Sequence, residues 1–85
     1  MVFQLSGDYD AADAELRKII AREPTNPEFL LRLGVLHTER FSHATDPSEK
    51  NLAAQTAEHW LREVLKIQPD NVLASRALEQ VSRRP

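Results

Sequence analysis

The sequence predicts an all-α protein of antiparallel helical hairpins stacked side by side, and three observations carry that reading. The chain matches itself at an offset of 45 residues: Ala12, Leu16, Arg17, Pro24, Asn26 and Leu33 meet Ala57, Leu61, Arg62, Pro69, Asn71 and Leu78. Around those identities apolar residues recur at steps of three and four, the spacing of one helix face. Each matched segment is also broken by a Pro with a polar pair, Pro24-Thr25-Asn26 and Pro69-Asp70-Asn71. Pro cannot continue a helix, and the Asn beyond it can accept hydrogen bonds from the open N–H groups of the next one. The duplicated unit is therefore helix, tight turn, helix. Such units bury their apolar faces only against each other, so the fold is a stack that offers surfaces rather than catalytic centres.

Helices are expected at about 1–6, 8–23, 27–42, 47–67 and 71–83, five segments alternating in direction with no strand. The first is a remnant. The second opens with Asp8, Asp10, Asp13 and Glu15, and carboxylates at a helix start are favoured by the macrodipole, so this crowd reads as capping and not as a catalytic pair. The third carries Phe29, Leu30, Leu31, Leu33, Val35 and Leu36, is apolar nearly all round, and must be covered on most sides. Before the fourth, Asp46-Pro47 with Glu49 is a strong start: a side-chain acceptor at the N-cap, Pro at the first helical position, and a carboxylate at the third. Trp60, among Leu61, Val64 and Leu65, is the expected anchor of the core. The fifth has a narrow stripe of Ala74, Ala77, Leu78 and Val81, which suits a terminal capping helix whose outer side meets water.

These residues resemble the tetratricopeptide repeat, whose 34-residue unit reads W-x2-L-G-x2-Y, then A-x3-F, then P. Here Leu30-x2-Leu33-Gly34-x2-His37 follows Pro24, Ala12-x3-Leu16 precedes it, and Ala57-x3-Leu61 precedes Pro69. Gly7-Asp8-Tyr9-Asp10 looks like the inter-helix turn of that family. Leu30 replaces the usual Trp and His37 the Tyr, while Ser75 and Glu79 replace Leu and Gly in the last helix. The copies lie eleven residues further apart than the family's period, close to three helical turns, so Arg40 to Lys50 is expected to lengthen both helices of the second hairpin. The resemblance implies a short right-handed solenoid as one domain over 1–85: a partial first repeat in 1–26, a second repeat with an extended hairpin in 27–69, and a capping helix in 70–85. By the family's phase Met1 falls near the middle of a helix, as in a piece cut from a longer array.

With 85 residues, no Cys and a net charge of −2, the chain fits one small soluble domain of modest stability. A dense Lys/Arg stripe for phosphates is missing, as are an apolar run of membrane-spanning length and a basic leader, so neither nucleic acid nor membrane is an expected partner. The absence of Cys fits a reducing compartment, and a cytoplasmic protein is the expectation. His37, His43 and His59 lack the four-residue step that places two metal ligands on one helix face, so no metal or cofactor is expected: His37 reads as a packed replacement for an aromatic, the other two as surface residues. The expected function is non-enzymatic binding of a peptide or protein segment. In the resembled family the face carrying Leu31 and Val35, with Glu28, Arg32, Thr38 and Glu39 beside them, lines a concave groove; Gln4, Leu5, Leu73, Arg76 and Gln80 would complete its wall. The extended fourth helix or the truncated first one could instead cover Leu31 and Val35. The apolar character of these two positions argues against the C-terminal carboxylates that some family members grip. The competing expectation is a spacer or self-associating domain of a larger protein, a homodimer through exposed repeat ends at Val2, Phe3 and Leu5.

Overall fold

A computed structural model describes residues 5–83, with side chains from Tyr9 onward. Its four helices are α1 (Leu5–Arg22), α2 (Pro27–His43), α3 (Pro47–Ile67) and α4 (Val72–Ser82), and no strand occurs among the described residues. The three turns follow from local chemistry. Asn26 accepts from the Glu28 N–H and Asn71 from the Ala74 N–H, each as N-cap, and Asp46 accepts from the Glu49 N–H at 3.3 Å with Pro47 behind it. The residues from 40 to 50 are, as expected, two helix ends around a short turn, with the Lys50 ammonium 5.0 Å from the centre of the Phe41 ring.

The duplication seen in the sequence extends to hydrogen bonds. The side-chain amide of Asn26 donates to Glu23 Oε1 at 2.9 Å, and that of Asn71 donates to Gln68 Oε1 at the same distance. The backbone N–H groups of Glu23 and Gln68 donate to Ile19 and Val64, and those of Asn26 and Asn71 to Glu23 and Gln68. Every one of these pairs is related by the 45-residue offset, as are the ends of α1 and α3 and the starts of α2 and α4.

One expectation is corrected here. No turn separates a remnant helix from the next, because α1 runs unbroken from Leu5 through Gly7, Asp8, Tyr9 and Asp10. A glycine permits a turn but does not force one. No Pro accompanies this one, and Ala11, Ala12 and Ala14 downstream favour helix. The described helices therefore number four, and residues 1–4, including Val2 and Phe3, lie outside the described residues.

The apolar surround of α2 is answered by position: it is the one described helix that packs against all three others. Its Leu30, Leu33 and Gly34 are buried. Gly34 is required by close approach, since a Cβ there would come within 2.6 Å of Leu61 Cδ2. The facing side of α3 is correspondingly small, with Ala53, Ala54 and Ala57 fully buried beside Leu61 and Val64. From α4, Ala74 and Val81 close the core.

Trp60 is not the core anchor. It packs on the core from outside and stays partly exposed, because it lies one residue, about 100° of turn, off the stripe that carries Leu61. Its ring lies edge to face with His59 at 4.8 Å, and the Arg17 guanidinium of α1 sits 5.3 Å from its centre. Leu33, Leu61, Val64 and Val81 are the largest fully buried side chains.

Candidate functional site

Two contacts locate where neighbouring helices cross. Asp13, midway along α1, meets His37, midway along α2, and Gly34 in the first half of α2 meets Leu61 in the last third of α3. On α1, Leu16 falls one turn beyond Asp13, and on α2, Leu31 and Val35 lie four residues apart on one face, Leu31 also packing on the edge of the core. Between the two helices lies an open groove of about 360 Å³, walled by Leu16, Leu31, Val35 and Leu36 and edged by Arg32 and Glu39. All four apolar residues are half-buried, so their remaining surface faces the groove. Arg32 is oriented by a 2.9 Å bond to Glu28 one turn earlier. Glu39 is exposed, and its charge, after burial, helps push the Tyr9 hydroxyl above its ordinary pKa.

Outside the groove lining, a polar clamp joins α1 to α2. The Asp13 carboxylate accepts from Arg17 Nε through one oxygen and meets His37 Nε2 through the other, each at 2.5 Å. Burial works to raise the Asp13 pKa, but the bonds from Arg17 and His37 outweigh it and hold the group below its ordinary value. Burial lowers the pKa of His37 against the pull of Asp13, with Arg40 and Arg17 acting in the same direction as burial. The neutral imidazole then donates from Nε2 to the carboxylate. Its Nδ1 is buried without a partner, a cost of about 1–3 kcal/mol that the clamp must offset. Although a carboxylate beside an imidazole is also a catalytic arrangement, the second ring nitrogen here is closed to any reactant.

The structure distributes the expected site residues unevenly. Leu31, Arg32, Val35 and Glu39 come together in the groove, with Glu28 behind Arg32. Thr38 is buried, and its hydroxyl donates to the Gly34 carbonyl at 2.9 Å, so it presents nothing to a partner. Leu73, Arg76 and Gln80 are exposed on α4, outside the groove, and Gln80 donates to Ser42 of α2 at 2.9 Å. Leu5 lies in the first turn of α1, where side chains are not described, and Gln4 is outside the described residues. Two wall residues, Leu16 and Leu36, were not expected in the site. The signal for Leu16 was present, since the 45-residue register pairs it with Leu61, a residue that accepts a neighbouring helix.

No family model matches this chain, and no curated protein or solved structure matches it either. A second, more polar depression lies between α1 and α3, lined by Arg17, Leu52, Gln55, Thr56, His59 and Trp60. Arg17 is engaged there by both Asp13 and Trp60, which leaves the α1–α2 groove as the less committed surface. Among the described residues no group of three His, Asp or Glu side chains is placed to hold a metal ion, and no helix is long and apolar enough to cross a membrane.

Proposed function

We propose that this chain is a non-enzymatic binding module, a tetratricopeptide-like stack that receives a segment of another protein in the groove between α1 and α2. One observation carries the reading: four half-buried aliphatic side chains, Leu16, Leu31, Val35 and Leu36, converge on one open groove with a cation and a carboxylate on its rim. Apolar anchors supply affinity on such a surface, and the charged rim supplies orientation. The duplicated helix-turn-helix grammar supports the solenoid part of the proposal. The lack of Cys supports a cytoplasmic setting.

A selection of displayed random 16-residue peptides on the immobilised protein tests this reading. Peptides that bind the native protein and are lost on the folded double variant Leu31→Glu, Val35→Lys support it. Peptides indifferent to that change refute it. The second reading, a self-associating domain, is favoured by a different observation: at the α3–α4 turn Ile67, Val72 and Leu73 are 42%, 60% and 65% exposed. A dimer by sedimentation that Val72→Ser with Leu73→Ser dissolves would establish it.

A further inference from the structure

The internal duplication says what the groove is shaped to hold. At the 45-residue offset α3 is the counterpart of α1 and α4 the counterpart of α2, down to their shared ends and hydrogen bonds. Around α3 and α4 one further helix, α2, lies against both. It seats Gly34 on Leu61, and α2 and α4 are tied together by the bond from Gln80 to Ser42. Around α1 and α2 no described helix takes that place. The counterpart of Leu61 is Leu16 and the counterpart of Val81 is Leu36, and whereas Leu61 and Val81 are fully buried, Leu16 and Leu36 are half-buried groove walls.

We propose that the groove is the seat of one amphipathic helix from a partner protein, which lies antiparallel to α1 and parallel to α2 as α2 does with α3 and α4. This rests on the groove being a binding surface. The duplication also gives the register. Leu16 takes a small residue, as Leu61 takes Gly34. Gln80 is the counterpart of Val35 and meets Ser42, so the incoming helix places its own counterpart of Ser42 on Val35 and, three residues earlier, its counterpart of Glu39 on Arg32. The partner therefore carries a carboxylate five residues after its small residue, where Arg32 complements it. Past that point the groove is edged by the Glu39 carboxylate, which favours a basic last turn in the partner, in keeping with the negative end of its dipole.

A peptide with this pattern already exists in the chain: α2 itself, with Gly34, Glu39 and then Arg40 and His43 in its last turn. The probe is a synthetic, fluorescently labelled peptide of residues 27–43, titrated against the intact protein by anisotropy. The expected result is saturable binding that weakens about tenfold or more when the peptide carries Gly34→Leu or the protein carries Leu16→Arg, whose fold is checked by circular dichroism. The protein variant Arg32→Glu should also weaken binding, and the peptide variant Glu39→Arg should restore it. No binding at about 1 mM peptide, or binding indifferent to the Gly34 and charge-exchange changes, overturns the helix assignment. Displayed peptides that still require Leu31 and Val35 would then show that the groove binds, but not this helix. If binding survives Leu16→Arg, the peptide is replacing the protein's own α2 and the proposal fails. If the protein alone sediments as a dimer that Leu16→Arg separates, the occupant is a second copy, and the partner-helix assignment fails in that case too.

Discussion

The two copies of the duplicated unit share their turns and differ in their packing. Around Pro24 and around Pro69 the same side-chain and backbone bonds recur. Yet Leu61 and Val64 of α3 are fully buried, while Leu16 and Ile19, their counterparts on α1, are half-buried. The polar side of the comparison is equally plain. Gly34 on α2 touches Leu61, whereas its counterpart Glu79 on α4 is exposed and bound to Arg83 at 3.1 Å. One grammar thus makes the same local structure twice, and the number of neighbouring helices decides how much it buries. A helix approaching Glu79 as α3 approaches α2 would desolvate a carboxylate. The half-buried α1–α2 side carries no such charge on its walls.

The sharpest way to break this comparison is to truncate both members of one pair. Leu61→Ala should cost about 4 kcal/mol, enough to threaten a domain of this size, because the site is closed on all sides. Leu16→Ala should cost about 1–2 kcal/mol, since only part of its surface leaves water on folding. Urea unfolding of the two variants reads the difference directly, and equal losses would mean that α1 is as well covered as α3.

A smaller effect separates Gly34 from Glu79. Gly34→Val must displace Leu61, an overpacking change of about 1–3 kcal/mol. Glu79→Val changes an exposed position and should stay within about 0.5 kcal/mol. Thermal unfolding that ranks them the other way would contradict the close α2–α3 approach. Next come the caps, where the copies should agree: Asn26→Ala and Asn71→Ala should each cost about 1 kcal/mol, with Asp46→Ala alongside them. A cap that costs nothing in one copy alone would show that its turn is held by packing instead.

How much of this was legible in the sequence follows the range of the forces involved. The turns were legible because Pro24, Asn26, Asp46, Pro47 and Asn71 act on residues within one turn of themselves. Gly7 misled for the same reason: it permits a break that nothing nearby enforces, and α1 runs through it. Trp60 sat in the expected helix, and its place one residue off the Leu61 stripe was a local signal that its apolar neighbours in sequence obscured. The clamp between Asp13 and His37 spans 24 residues, and in the sequence Asp13 was one of four carboxylates at a helix start. Helix phase put Leu31 and Val35 on one face, and it was the family resemblance that made this face a groove wall. The Leu16 wall required comparing the copies for burial as well as identity.

The smallest effect expected is a pH dependence confined to the α1 side. The folded state lowers the pKa of His37 below 6.5, chiefly through burial, so the unfolded chain takes up a proton that the folded chain resists. As the pH falls from neutral, stability should therefore begin to decline near pH 6.5 and level off below the folded value. The lowered pKa of Asp13 acts in a separate window: its contribution is fully present above 3.8 and is lost as the pH falls through its folded value. Because both groups join α1 to α2, the loss should appear first in amide exchange of α1, while α3 and α4 keep their protection. Replacing His37 by Phe removes the titrating group and leaves Asp13 its bond from Arg17, so the decline near pH 6.5 should vanish. If the decline persists in the His37→Phe protein, or if all four helices lose protection together, the clamp is not what holds α1 in place, and the two halves of the molecule are more alike than their burial implies.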